Sequence, residues 1–346
     1  MNTITSGATA PSGAPLAFIT GLEGLRLGEA ERQFLASANP WGLILFARNV
    51  ETPDQVAALV AEARAALGRE APVLIDQEGG RVARLRPPHW LGWPPVRETV
   101  TQLPRTEALR ALRLRFAVIG AELRALGVDV NCMPLLDVPQ AGAHPIIGNR
   151  ALGDTPDAVV EFGRAVVDGL LEGGVLPVIK HLPGHGRAGA DSHEALPRVT
   201  APRAELEAVD FAAFRPLAGE VLGMTAHIVY EALDPERCAT HSPAGIKTIR
   251  EEIGFDGLLM TDDLSMKALA GPMGARAADA IAAGCDMVLH CNGDLAEMEA
   301  VAASVSALSG KALDRARAAE QARPAAPAFD VDAVLADYRA LTGEMA

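Results

Sequence analysis

Residues 42–76 read GLILFARNVETPDQVAALVAEARAALGREAPVLID. Two short runs in it, 42–46 and 72–76, are apolar with almost no polar alternation, the pattern of strands covered on both faces in a parallel sheet. Between them, 53–67 carries apolar residues at helical spacing. Thr52 is placed to cap that helix, and Pro53 takes the first helical position, where its missing N–H costs nothing. The stretch is therefore a β-α-β unit, and the unit recurs in both directions. Upstream lie a strand at 16–20 and a helix at 27–38. Downstream, strands at 128–133, 177–181, 221–227, 257–261 and 286–290 alternate with helical stretches at 106–126, 155–172, 201–214, 242–253, 273–283 and 294–308. Thr155-Pro156 and Ser242-Pro243 repeat the cap-plus-proline opening, while Gly254 and Gly284 sit where the chain must reverse into the next strand. Strict β-α alternation predicts a parallel α/β fold. Eight strands can close, so the expectation is a single-domain (β/α)8 TIM barrel over 16–309, with room for an irregular strand. Periodicity alone leaves an open doubly wound sheet as the alternative.

Residues 1–15 are rich in Ser, Thr, Gly, Ala and Pro, with neither a basic start nor a long apolar run. They read as a flexible tail and not as a signal peptide. Residues 310–346 are Ala- and Arg-rich, broken by Pro324 and Pro327, and end in a helix-like stretch at 331–341, which makes a C-terminal helical extension. The whole is 346 residues long, 49% hydrophobic, with a mean hydropathy of +0.16. That is ample for a buried core, yet no stretch of about 18 uninterrupted apolar residues predicts a membrane span. Basic residues number 31 against 44 acidic, a net charge of −13, and no Lys/Arg-dense run offsets it. Such a field repels polyanions, so nucleic acid and acidic membranes are not expected partners. Cys132, Cys238, Cys285 and Cys291 form no CxxC pair and read as reduced, buried thiols of a cytoplasmic protein. A monomer or weak homo-oligomer is expected.

In a barrel the chemistry sits where the strands end. Asp76 ends the third strand, Lys180 and His181 the fifth, His227 the sixth and His290 the eighth, while Asp262 follows the seventh. Buried charge at a strand end is costly unless it is paired or used. The loop after the fifth strand, KHLPGHGRAGADSH over 180–193, is glycine-rich and holds three histidines. In an extended loop Asp191 and His193 share a face, so the carboxylate could bond one ring nitrogen and aim the other at a substrate. A solvated His-Asp pair is the bland alternative. His181-x3-His185 has zinc-like spacing, with Asp191 and His193 as further ligands, but Pro183 and two glycines oppose the helix such spacing needs. A Schiff-base role for Lys180 is chemically reasonable, though it leaves Asp262 and the Asp191/His193 pair idle. Asp262 and Asp263 are adjacent and must diverge; Asp262 is expected to face the cavity and Asp263 to make structural bonds.

The segments Ile75-Asp76-Gln-Glu-Gly-Gly-Arg81-Val-Ala-Arg84, Lys180-His181-Leu-Pro-Gly-His-Gly with Asp191-Ser-His193, and Thr261-Asp262-Asp-Leu-Ser-Met266 resemble the bacterial N-acetylglucosaminidase branch of glycoside hydrolase family three. Gly42-Leu-Ile-Leu-Phe-Ala-Arg48 and Ile147-Gly-Asn-Arg150 agree, and the likeness runs from about Phe18 to about Gly293. The resemblance implies a retaining β-N-acetylglucosaminidase (β-hexosaminidase). It would remove non-reducing terminal N-acetylglucosamine from 1,6-anhydro-muropeptides in peptidoglycan recycling. It further implies Asp262 as nucleophile, His193 as general acid/base with Asp191 as dyad partner, and Asp76, Arg84, Arg150, Lys180 and His181 as sugar-binding residues. The expected partner is then a small carbohydrate or muropeptide, with neither metal nor organic cofactor. Lys180 is expected to help keep Asp262 ionised. Two departures touch only packing near the pocket: Ala151-Leu152-Gly153 stands where Ser-Phe-Gly is usual, and Leu182 where Phe is common. Three rivals stay open: a phosphorylase on the same site, a metal-dependent hydrolase or Lys180 aldolase, and a non-catalytic muropeptide-binding protein.

Overall fold

In the computed structural model, which describes residues 13–343, the apolar runs become nine strands: β1 (Leu16–Gly21), β2 (Pro40–Leu45), β3 (Val73–Ile75), β4 (Val130–Asn131), β5 (Leu176–Pro177), β6 (Ile179–Leu182), β7 (Leu222–Thr225), β8 (Leu258–Asp263) and β9 (Met287–His290). They form one sheet in the order β5-β4-β3-β2-β1-β9-β8-β7-β6, and every pairing in it is parallel. Its two edge strands, β5 and β6, are separated in sequence only by Val178, so the sheet curls round on itself as a nearly closed barrel. The strand expected at 177–181 is thus two strands. Pro177 has no N–H to give the ladder, and Val178 N donates to both Asn131 O (3.1 Å) and Met133 O (2.9 Å). Beyond that point the chain pairs with β7 instead of β4.

Strand periodicity explains why polar alternation is missing. Ile19, Ile44, Leu74, Val130, Leu222, Met260 and Leu289 point into the barrel and pack on one another. Their neighbours Phe18, Leu43, Val73, Ile75, Leu259 and Val288 point outward into the layer between sheet and helices. Both faces are therefore dry.

The surrounding helices include α1 (Glu29–Ala38), α2 (Pro53–Leu67), α3 (Val96–Gln102), α4 (Arg105–Ala125), α5 (Pro156–Glu172), α6 (Met273–Ala283), α7 (Leu295–Ala302), α8 (Gly310–Gln321) and α9 (Val331–Thr342). The caps act as their residue types suggest: Thr52 Oγ1 accepts from Gln55 N, Thr155 from Ala158 N and Ser242 from Gly245 N. The stretches expected as helices at 201–214 and 242–253 each contain a π turn, Leu206–Asp210 and Thr248–Ile253. The helix expected at 294–308 stops at Ala302. Beyond it Ser306 O accepts from Ala17 N and Leu308 N donates to Pro15 O, so this segment runs alongside the start of β1. Below the barrel, Ala316 and Ala319 of α8 join the interior cluster. The last helix, α9, packs against α4 with Tyr338 fully buried. Among the described residues no helix is long and apolar enough to cross a membrane. Of the tail expected at 1–15, residues 1–12 lie outside the described residues.

Candidate active site

At the C-terminal ends of the strands lies a cavity of about 450 Å³, and all eight site residues named from the sequence line it: Asp76, Arg84, Arg150, Lys180, His181, Asp191, His193 and Asp262. Directly after Asp76 the chain makes a short antiparallel hairpin, Gln77–Gly79 against Val82–Ala83, which returns Arg84 to the same rim.

One wall is an ion cluster. Asp76 accepts from Lys180 Nζ at 2.9 Å on one oxygen and from Arg84 Nη2 at 3.0 Å on the other. Glu78 accepts Arg150 as a fork, Nε and Nη2 both at 2.8 Å, and also takes Lys180 Nζ at 2.9 Å. Burial alone would raise both carboxyls. Lys180 and Arg84 outweigh it at Asp76, which lies well below the usual carboxylate range, and Arg150 and Lys180 bring Glu78 down to about 2. The same pairing holds the Lys180 ammonium well above its ordinary range despite burial. A Schiff-base lysine must shed its proton, so this environment opposes the aldolase reading. Sequence reasoning passed over Glu78, although Gln77-Glu78-Gly79-Gly80 was in view.

Deeper in the cavity stands Asp262, near the end of β8. Burial would raise its carboxyl; the imidazoles of His181 and His227 and the Asp263 N–H more than offset this and leave it below its ordinary value. The expectation that Lys180 supports Asp262 is corrected here, because that ammonium is engaged by Asp76 and Glu78. Asp263 also borders the cavity, but its Oδ1 is spent on structural bonds: it accepts from Ser265 N at 3.0 Å and from Cys291 N at 3.1 Å, the latter pinning β8 to the end of β9. His227 backs the site, bonded to Thr240 Oγ1 at 2.8 Å and to Asp263 O at 3.0 Å. His290, also at a strand end, does not line the cavity; its Nε2 lies 3.0 Å from Glu297.

His181 is oriented by a residue the sequence did not single out. Asp137 Oδ2 lies 2.7 Å from His181 Nδ1, and Oδ1 accepts from the backbone N–H of His181 (3.2 Å) and His185 (2.6 Å). A carboxylate only accepts, so Nδ1 carries the proton. Its position after the apolar run Met133-Pro-Leu-Leu136 was the available signal.

The Asp191/His193 pair forms, but not by the expected geometry. The chain is not extended there: Glu194 N and Ala195 N both donate to Asp191 O, making a tight turn. Asp191 Oδ1 accepts from His193 N at 2.9 Å and lies 2.8 Å from His193 Nδ1. Burial would raise the Asp191 carboxyl; the two His193 bonds and the His193 charge together outweigh it and hold the carboxyl below its ordinary value. With Nδ1 occupied, Nε2 of His193 is left at the cavity mouth, on a side chain that is 60% exposed. Ser192, between them, is buried, and its carbonyl accepts from Ala268 N at 3.2 Å. Among the described residues no three His, Cys, Asp or Glu side chains gather as a metal centre requires.

Residues 14–323 match the family described as Glycosyl hydrolase family 3 N terminal domain. A beta-hexosaminidase of Alkalilimnicola ehrlichii is 43% identical over 291 residues, 79% of either chain. Another, of Methylococcus capsulatus, is 40% identical over 304 residues, 84% of this chain and 86% of the other. Native NagZ from Neisseria gonorrhoeae superposes with a TM-score of 0.83 at 30% identity, over 96% of this chain and 98% of that one. NagZ from the same organism is also known in complex with N-trifluoroacetyl-D-glucosamine.

Proposed function

The chain belongs to glycosyl hydrolase family 3 and is a glycoside hydrolase similar to beta-hexosaminidases, and from that premise we propose that it is a retaining β-N-acetylglucosaminidase acting on 1,6-anhydro-muropeptides in the cytoplasm. The observation that carries the reading is the shared cavity: an ionised, buried Asp262 in its wall and the His193 imidazole, held by Asp191, at its mouth. The N-trifluoroacetyl-D-glucosamine bound by the gonococcal relative, an N-acylated glucosamine, supports the choice of sugar.

Glycoside cleavage passes through an oxocarbenium-like state, which a carboxylate beneath the anomeric carbon stabilises. Asp262 attacks that carbon as the glycosidic bond breaks, and the proton on His193 Nε2 passes to the departing oxygen. In the second half-reaction the neutral imidazole takes a proton from water, whose oxygen displaces Asp262 and restores the starting configuration. Asp191 fixes the tautomer and stabilises the imidazolium. Asp76, Arg84, Arg150, Lys180 and His181 hold the ring hydroxyls, and binding energy won there favours ring distortion. The exposed turn bearing His193 is suited to closing over bound sugar.

Incubation with a slow 5-fluoro-N-acetylglucosaminyl donor followed by peptide mapping should place a covalent sugar on Asp262. An adduct on any other residue would sink the assignment. One feature also favours phosphorolysis on the same site: a neutral imidazole repels incoming phosphate less than a carboxylate does. N-acetylglucosamine-1-phosphate as the main product in phosphate buffer would replace hydrolysis with that activity.

A further inference from the structure

Arg115, in the middle of α4, is fully buried. Burying a guanidinium is expensive, and the usual compensation is a carboxylate partner. Among the described residues Arg115 has no ion-pair partner, and its Nε and Nη1 find no acceptor. What it does instead is bridge two backbone carbonyls with Nη2, Glu78 O at 2.6 Å and Pro94 O at 2.7 Å. Its guanidinium carbon lies 5.5 Å from the Trp93 ring and 5.3 Å from that of Phe116. On Trp93 in turn rests Tyr338 of α9, edge-on at 5.2 Å between ring centres.

The other end of this chain of contacts is the sugar pocket. The residue whose carbonyl Arg115 holds is Glu78, whose side chain carries both Arg150 and Lys180. The hairpin is fastened a second time by Gly80 N, which donates to Trp93 O at 2.8 Å. Gly79 between them has φ +104°, and a Cβ there would lie 2.0 Å from Arg115 Nη2. So the chain keeps a glycine where the arginine must come close.

We infer that Arg115, covered by the C-terminal helix α9 through Trp93 and Tyr338, is a positioning residue for the sugar pocket: it sets the Glu78 backbone and thereby the placement of Arg150 and Lys180. The extension is then a working part of the binding site and not an appendage. Arg115 touches no substrate and acts only through Glu78. This inference rests on the reading that Arg150 and Lys180 bind the sugar.

The test compares Arg115→Met, Tyr338→Leu, Tyr338→Phe and Asp337→Asn in the full chain, with Arg150→Ala alone and combined with Arg115→Met. The substrate is an aryl N-acetyl-β-glucosaminide, and kcat, KM and Tm are all measured. Arg115→Met, which loses buried charged hydrogen bonds, and Tyr338→Leu, which loses the ring that rests on Trp93, should raise KM about 10-fold or more while kcat changes only a few-fold, since Asp262 and His193 are untouched. Tyr338→Phe keeps the ring and should restore the wild-type KM. Asp337→Asn, which weakens only an exposed bond from α9 to Arg110 of α4, should leave both constants alone. If Arg115 acts through Arg150, the two losses will be far from additive. Lowered Tm with unchanged KM in Arg115→Met and Tyr338→Leu would reduce the cluster to a stability device and overturn the inference. Should Arg115→Met not fold, Tyr338→Leu against Tyr338→Phe decides. An Arg150→Ala variant with normal KM would instead overturn the sugar-binding reading beneath it, a failure distinguishable from that of Arg115 alone.

Discussion

Asp191 and Asp262 line the same cavity, and their surroundings suit them to different tasks. Asp262 is buried against imidazoles and an N–H; Asp191 is spent on one histidine. Removing the Asp191 charge while keeping an acceptor, as in Asp191→Asn, leaves the turn possible but withdraws the partner that favours imidazolium. Proton delivery to the departing oxygen then suffers, so kcat/KM on a sugar aglycone should fall about 10²-fold, and much less on an activated phenol. An Asp191→Asn enzyme with wild-type kcat/KM on the sugar aglycone would leave Asp191 without that part. The loss in His193→Ala should depend on the leaving group: about 10²- to 10⁴-fold on a sugar aglycone and much less on an activated phenol, which departs without a proton. Equal losses on both would remove His193 from the acid role. Asp262 sits below its ordinary value, so it should remain ionised throughout the range above about pH 4.

At the scale of elements, what could be read from the sequence is what local chemistry decides. The helix at 53–67 begins and ends as expected because Thr52, Pro53 and Gly68 each act within a turn of their own position. Strand positions followed from apolar runs, and the strand-end rule gathered Asp76, Lys180, His181 and Asp262 into one cavity. What escaped depends on distant partners. Only the ladder to β4 on one side and β7 on the other splits the 177–181 strand. Glu78 and Asp137 take their roles from Arg150 and His181, far along the chain. The 294–308 helix ends early because its tail is claimed by residues beside β1. The hairpin after β3 gives a test at this scale. Gly79→Ala forces a left-handed backbone on alanine and a clash with Arg115. A cost of about 1–3 kcal/mol is expected, visible as a fall in Tm together with a raised KM. A fall in Tm alone would show that hairpin geometry does not reach the pocket.

For the molecule as a whole, the site is a place where stability and function draw on the same ions. Glu78 is fully buried and titrates near 2 in the fold, against about 4.5 for an ordinary glutamate. Its folded value is depressed, so the stability it contributes is complete above about pH 4.5 and is lost as pH falls toward 2; the loss is on the order of 3 kcal/mol. Asp76, depressed further still, extends the same loss to lower pH. Surface carboxylates push the other way, because a chain of net charge −13 relieves self-repulsion as they protonate. The two effects separate in a variant. Glu78→Gln should cost most near neutrality, where it leaves Arg150 and Lys180 facing a neutral amide. Its deficit in Tm against the wild type should then shrink steadily between pH 5 and about pH 2.5, because the unfolded wild-type glutamate takes up a proton below about pH 4.5 and must give it up to fold. A deficit that does not change with pH would mean that the glutamate contributes shape alone, and that the low-pH loss of the wild type arises elsewhere in the barrel.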